Sequence, residues 1–222
     1  MAHYLVFLGS TRTSRPPSPA RLGERVAKAC ERLLSSLPHT AAEIIDPLAL
    51  NISDPFKPHF AYAKNDAPED LAELADKIAA ADGYVMVSPE YNHSMSPALS
   101  HLLNHFGASL FAFKPSAIVT YSMGQWGGVR AGVAMRAFLS ELGCLPVSAM
   151  IHIPKAQEAL NEDGQFAHEQ ERWESYFGRT LGQLMWWAEA AASYKKQVDP
   201  TRVSPAFKTA PSQRNAPGSE SS

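Results

Sequence analysis

The sequence is poor in cysteine, in net charge and in long apolar stretches, and each shortage excludes a class of protein. Two cysteines, Cys30 and Cys144, among 222 residues cannot build a disulfide framework, so we expect a reducing, cytoplasmic setting. A formal charge of -2 gives no overall attraction to nucleic acid or to an anionic membrane. The apolar run 4–8 is too short for a signal peptide, and no stretch approaches the roughly 18 apolar residues of a membrane helix. We therefore expect a soluble cytoplasmic protein that binds neither nucleic acid nor a membrane.

What the sequence does contain is a regular alternation of short apolar runs with helical patterns. Strands are predicted over 4–8, 42–46, 83–88, 116–121 and 145–150. Helices are predicted from a cap at Ser18 and Pro19 to residue 37, and over 68–81, 97–106, 128–142 and 169–197. This alternation predicts an α/β fold, a doubly wound five-stranded parallel sheet with helices on both faces. We expect one domain over 1–197 and a disordered tail over 198–222, where prolines, serines and small residues dominate.

The first loop, 9–15, combines features suited to an anion. Gly9 allows a tight exit from the strand, and hydroxyls such as Ser10, backbone N–H groups and a helix N-terminus can surround a phosphate. Arg12 and Arg15 add charge-assisted donors. The loop lacks the Walker sequence, the spaced glycines of dinucleotide-binding folds and a nucleophilic cysteine, so those three classes are excluded. A solvated basic surface loop is the alternative.

Two further loops are expected at the same edge of the sheet, because ligands of open parallel sheets bind outside the carboxyl ends of the strands. The loop 88–97 carries Tyr91, a carboxylate and an amide between stiffening prolines, which suits the edge of a planar heterocycle. The loop 122–130 is rich in glycine, so its backbone N–H groups can approach a ligand closely. Taken singly, the first of these loops could be a proline-rich turn, and the second could be a flexible loop before a helix. Three such loops at one edge favour a ligand site.

The three loops also resemble a known family. Gly-Ser-Thr-Arg-x-x-Arg, Ser-Pro-Glu-Tyr-Asn-x-Ser and Ser-Met-Gly-x-x-Gly-Gly-x-Arg are similar to the NADPH-dependent FMN reductases of the flavodoxin-like superfamily, which include soluble quinone and azo-dye reductases. The resemblance extends over about residues 3–190 and implies a flavodoxin-like fold. One departure is the sequence 16–19, Pro-Pro-Ser-Pro, which lengthens the first loop. The cofactor-binding residues that the resemblance implies are Ser10, Arg12 and Arg15 for the phosphate, Pro89, Glu90, Tyr91, Asn92 and Ser94 at the ring, and Ser122, Met123, Gly124, Gly127 and Gly128 on its other side.

The resemblance implies an FMN-dependent oxidoreductase that takes hydride from NADPH or NADH and passes it to a quinone, an azo compound or free flavin. The alternative is an FMN-binding electron carrier or regulatory protein without turnover of its own. We assign no side chain as a catalytic acid or base, because Glu90 is expected to make structural hydrogen bonds. His101 and His105 are four residues apart on one helix but lack a third ligand, so we expect no metal site. The family further implies a homodimer or homotetramer.

Overall fold

A parallel β-sheet forms the centre of the molecule in the computed structural model, which describes residues 1–13, 19–52, 56–63 and 66–203. The strands lie in the order β2-β1-β3-β4-β5, which is the flavodoxin-like order, and β6 also pairs with β4. The predicted fold class is therefore confirmed. The strands are β1 (Ala2–Leu8), β2 (Thr40–Ile45), β3 (Gly83–Pro89), β4 (Pro115–Tyr121), β5 (Leu145–Pro146) and β6 (Ile151–Ile153).

The three central strands are buried because helices cover both faces of the sheet. One apolar cluster joins α1 and α7 to one face, and a second joins α2, α3 and α5 to the other. The helices are α1 (Leu22–Ser35), α2 (Glu69–Ala80), α3 (Pro97–Asn104), α4 (Ala108–Phe111), α5 (Val129–Glu141), α6 (Ala156–Ala159), α7 (Gln170–Lys195) and α8 (Pro200–Val203).

The first helix begins later than the sequence predicts. Arg21, not Ser18, is the residue before its first turn, and Ser18 lies outside the described residues. Arg21 is held in an extended conformation while its guanidinium donates to the carbonyl of Ser10 at 2.7 Å and pairs with the carboxylate of Asp46. These tertiary contacts replace a side-chain cap, and they could not be read from local sequence preference.

The fifth strand position is occupied by two short segments, so the predicted strand 145–150 was wrong in its extent. β5 pairs with the start of β4, and β6 pairs with its end over Val119–Tyr121. Between them, the amide of Ala149 donates to Gln183 at 3.2 Å and the carbonyl of Val147 accepts from Arg136 at 2.9 Å. Side chains from α7 and α5 thus take backbone groups that a continuous strand would use.

The long connection between β2 and α2 holds two short 3-10 helices, Pro47–Ala49 and His59–Ala61, in its described parts. Most of the predicted tail, from residue 204 onward, lies outside the described residues, so its disorder stays a prediction. Within the described ranges, no helix is both long enough and apolar enough to cross a membrane.

Candidate functional site

The loops that follow β1, β3 and β4 meet at the carboxyl edge of the sheet, as the parallel topology requires. They enclose a cleft of about 390 Å³, within the size range of small-molecule sites. The residues lining it come from all three loops, from the start of α1 and from α6. They are Ser10, Arg12, Thr13, Pro19, Ala20, Arg21, Leu22, Arg25, Pro89, Glu90, Tyr91, Tyr121, Ser122, Met123 and Gln157.

The β1 loop leaves the sheet through a position that only glycine fits. The amide of Gly9 donates to the carbonyl of Val87 at 2.8 Å, and a Cβ on Gly9 would lie 2.4 Å from that oxygen. The next residue, Ser10, is buried, and its hydroxyl accepts from the amide of Arg12 at 3.4 Å. The loop is therefore pressed against β3 with its polar side toward the cleft.

Four arginines, Arg12, Arg15, Arg21 and Arg25, lie in the first loop and the start of α1, and the described ones divide into two groups. Arg21 is neutralised by Asp46, and Arg25 donates to the carbonyls of Ala20 and Leu160 at 3.0 and 3.1 Å. These two arginines therefore hold α1 in place. The exposed guanidinium of Arg12 forms no ion pair with any other residue in the described part of the chain, so its charge faces the cleft. Arg15, the other predicted phosphate contact, lies outside the described residues.

The β3 loop is fixed at both ends by serines. The hydroxyl of Ser88 accepts from the amide of Ser96 at 2.9 Å, and that of Ser96 donates to the carbonyl of Gly9 at 2.7 Å. Ser96 also caps α3 by accepting from the amide of Leu99 at 3.1 Å. The β1 and β3 loops are thus joined directly.

Between these serines, residues 91–94 form a tight turn. Tyr91 and Ser94 exchange two backbone hydrogen bonds of 3.0 and 2.9 Å. The two central residues have positive φ, 50° at Asn92 and 63° at His93, as in a type I′ turn. Asn92 borders a second depression beside the cleft, together with the β1 loop and the start of α3. Ser94 is used by the turn and lines neither space.

Glu90 is held by the start of α5. Its carboxylate accepts from Arg130 Nε at 2.7 Å and from the amides of Arg130 and Ala131 at 3.2 and 3.5 Å. Burial alone would raise the pKa of Glu90, but these hydrogen bonds and the Arg130 charge outweigh it and lower the pKa below its usual value. Glu90 is thus an ionised, structurally engaged carboxylate at the cleft wall, as the sequence suggested.

The glycine loop, residues 122–128, folds back on itself. Ser122 accepts from the amide of Gly127 at 3.0 Å and donates to the carbonyl of Gly124 at 2.9 Å, so its hydroxyl is used inside the loop. Gly127 and Gly128 have φ of 61° and 77°, which disfavours a side chain; a Cβ would lie 3.0 Å from backbone atoms at Gly127 and 3.0 Å from the Thr120 side chain at Gly128. Ser122 and Met123 line the cleft, whereas Gly124, Gly127 and Gly128 shape the loop behind it.

Tyr121 was missed by the sequence analysis because it belongs to a buried strand. It is the last residue of β4, and its hydroxyl packs against α1 at Gly23, where a Cβ would lie 2.5 Å away. Its side chain is hydrogen-bonded to Ser10. Burial, reinforced by nearby Tyr91, raises the pKa of Tyr121, so the phenol keeps its proton. Only the sheet register, which sets β4 beside β3, could have revealed it.

The structure therefore brings seven of the thirteen predicted site residues to a single cleft. Among the described residues, no group of three or more histidines, cysteines or carboxylates is placed to hold a metal ion. The predicted residues that line the cleft are Ser10, Arg12, Pro89, Glu90, Tyr91, Ser122 and Met123.

Several curated reductases are similar in sequence to part of this chain. A subunit of an NADH:(hydroxy)cinnamate reductase from Vibrio ruber is 34% identical over 118 residues, which cover 50% of this chain and 58% of that protein. A quinone reductase of Escherichia coli is 39% identical over 75 residues, 32% of this chain and 40% of the enzyme. The chain thus spans about half the length of the curated relatives it matches.

Among solved structures, the flavoenzyme NAD(P)H:(acceptor) oxidoreductase FerB of Paracoccus denitrificans superposes with a TM-score of 0.64. Its sequence identity is 22%, and the match covers 86% of this chain and 99% of that one, which establishes the shared fold. Residues 3–158 match the family described as NADPH-dependent FMN reductase, and this span includes all three loops of the cleft. The chain belongs to the NADPH-dependent FMN reductase family.

Proposed function

We propose that the protein is an FMN-dependent NAD(P)H oxidoreductase that reduces a small organic acceptor. The observation that carries this proposal is the cleft itself, where a free arginine, an aromatic wall and a glycine loop meet at one edge of the sheet. The family assignment supplies FMN as the cofactor and NAD(P)H as the co-substrate. Supporting names among the relatives are quinone reductase and NADPH azoreductase.

The residues present fit FMN at both ends of the cleft. At the α1 end, Arg12 offers a guanidinium that forms no ion pair with the described residues, and Thr13 offers a hydroxyl, which together suit a phosphate monoester. At the other end, Pro89 and Tyr91 face Ser122 and Met123 across a space bounded by carbon-rich surfaces. A flat ring with a charged tail matches this division into an apolar slot and a cationic end.

When bound, FMN supplies the redox chemistry, taking hydride from the nicotinamide and passing it to the acceptor. The chain itself would position the cofactor, and it fixes the protonation states of Glu90 and Tyr121 at the cleft. Glu90 is held ionised by Arg130 and is unsuited to donating a proton at neutral pH. Tyr121, whose raised pKa keeps its phenol protonated, is a neutral group that braces the β1 loop through its hydrogen bond with Ser10. No side chain is therefore assigned as an obligatory acid or base.

We infer a wider set of properties on the same basis. Quinones, azo compounds and free flavin are the acceptors proposed, with the names of the relatives as support. A homodimer or homotetramer in the cytoplasm is the proposed state. Trp126 supports association, because its side chain is 61% exposed on the glycine loop beside the cleft.

Anaerobic titration tests the proposal. Purified protein reconstituted with FMN should be yellow, should lose its flavin absorption on addition of NADPH or NADH, and should recover it when a quinone is added. Protein that fails to retain FMN would refute the proposal. Flavin that binds but stays oxidised with both nicotinamides would instead favour the electron carrier, which shares the cofactor cleft but has no turnover of its own.

A further inference from the structure

A hydrogen-bonded chain of three residues runs from the edge strand β6 to the glycine loop. The hydroxyl of Thr120 lies 2.7 Å from the carbonyl oxygen of Gly127 and 2.6 Å from Nδ1 of His152. A hydroxyl has one proton, and a carbonyl can only accept, so Thr120 donates to Gly127. His152 must then donate to Thr120, which fixes its neutral form as the tautomer with the proton on Nδ1.

His152 contacts the two helices that pack beside β6. Gly132 on α5 has no side chain, and a Cβ there would lie 2.8 Å from Cε1 of His152. The amide of His152 donates to the hydroxyl of Tyr176 on α7 at 3.0 Å. The ring therefore lies against α5 at Gly132 with Nδ1 directed at Thr120, while the backbone of His152 is bound to α7. Burial lowers the pKa of His152, which keeps the ring neutral at pH 7.

The other end of the chain is the backbone that shapes the cleft. Gly127 lies with φ of 61° against residues 152–154, and its amide donates to Ser122, which lines the cleft. The amide of Ser122 in turn donates to the carbonyl of Ile153 at 3.1 Å. The carbonyl and the amide of Gly127 are thus fixed by Thr120 and by Ser122 respectively.

We propose that His152 is a positioning residue for the cofactor, because it orients the Thr120 hydroxyl that holds Gly127 and thereby keeps the glycine loop closed on the cleft. Without the Nδ1 proton, Thr120 can rotate toward another acceptor and release the Gly127 carbonyl. This inference rests on the proposed function, since the cofactor meant is FMN. His152 itself is not one of the residues that line the cleft.

The test compares substitutions that keep or remove the donor. An asparagine amide can place an N–H near the position of Nδ1, whereas leucine cannot. We expect His152→Leu and Thr120→Val each to raise the dissociation constant of FMN about tenfold, the effect of one lost hydrogen bond. His152→Asn should stay within about twofold of wild type. The measurement is quenching of FMN fluorescence on titration with flavin-free protein.

A second set of variants separates positioning from general stability. Thr180→Val makes the same change at another fully buried threonine, whose hydroxyl has no hydrogen-bond partner among the described residues, and should leave FMN affinity unchanged. Gly132→Ala should weaken FMN binding by displacing the His152 ring. Combining it with His152→Asn should restore binding, because asparagine has no Cε1 to be displaced. If His152→Leu does not fold, the FMN dissociation constants of Gly132→Ala and Thr120→Val still test the proposal.

The outcomes distinguish the two proposals. Wild-type protein that does not bind FMN refutes the proposed function. Wild-type protein that binds FMN while His152→Leu, Thr120→Val and Gly132→Ala bind it equally well refutes only the positioning role. The positioning role is also contradicted if the double variant Gly132→Ala with His152→Asn binds FMN as weakly as Gly132→Ala alone. The clash of the added Cβ would then involve a residue other than His152.

Discussion

Replacing Glu90 with glutamine should destabilise the flavin-free protein in a pH-dependent way. The Glu90 side chain is 9% exposed and joins the β3 loop to the first turn of α5 through Arg130 and two backbone amides. Glutamine keeps the shape and one acceptor oxygen but loses the charge. The perturbation therefore removes the charge and the hydrogen bonds at one of the two oxygen positions, because an amide NH2 cannot accept, and leaves the packing in place.

The expected loss of stability depends on how exposed Arg130, the partner of Glu90, is to solvent. Charge-assisted hydrogen bonds contribute about 1.5–3 kcal/mol when buried. Arg130 is 45% exposed, so solvent screening reduces its share, while the helix N-terminus adds about 0.3–1 kcal/mol. We expect a net loss of about 1–2 kcal/mol at pH 7, which for a chain of this length lowers Tm by about 2–8 °C.

The pH dependence gives the sharper test. Because the folded pKa of Glu90 is lowered, its contribution is fully present above the unfolded value of 4.5 and is lost as pH falls from there through the folded pKa. Urea unfolding of wild type and Glu90→Gln should therefore differ most at pH 6–7 and converge below pH 4.5. Glu158→Gln, in an exposed pair with Lys155, is the matched control and should change stability little. A difference that is absent at pH 7, or that stays constant as pH falls, would refute the reasoning.

Three further substitutions probe the other loops. Arg12→Ala should weaken FMN binding by about ten- to a hundredfold with little change in Tm, as measured by fluorescence titration and thermal unfolding. Arg172→Ala, at an exposed site outside the cleft lining, should leave FMN binding unchanged. His93→Gly should raise the free energy of unfolding in urea by about 0.5–1 kcal/mol, because glycine adopts the positive φ of this turn position without the penalty of a side chain; a lower free energy of unfolding would contradict that strain. Gly9→Ala should cost at least about 1–3 kcal/mol in thermal unfolding, because its Cβ meets the rigid carbonyl of Val87, and an unchanged Tm would show that the strand exit can shift.

The sheet and its loops could be predicted from the sequence because their signals are local. Continuous apolar runs such as 83–88 identify buried strands, and alternation with helices implies parallel order and a common edge for the loops. The α2 start at Glu69 after Pro68 was also correct, since proline and acidic residues mark a helix N-terminus. The family resemblance then placed the cofactor at the edge that the topology had already indicated.

What could not be predicted depends on partners distant in sequence. Arg21 and Arg25 follow the phosphate loop in sequence, but only the structure shows that Asp46 and the carbonyl of Leu160 engage them. The fifth strand reads as continuous until Gln183, on a helix that follows it, removes the amide of Ala149 from the ladder. Tyr121 and His152 carry no motif, and their roles follow from the residues facing them. Each miss is thus a tertiary contact that overrides a local preference.

The serine and glutamate contacts of the β3 loop have a consequence for how the site unfolds. Ser96 ties this loop to the β1 loop at Gly9, and Glu90 ties it to α5 directly after the glycine loop. All three walls of the cleft are therefore links of one hydrogen-bonded series, with the β3 loop in the middle. Free-energy changes from substitutions at Ser96 and Glu90 should not be additive, because breaking either link loosens the same loop. In native-state hydrogen exchange the three loops should then open together as one cooperative unit, with the β3 loop deciding its stability.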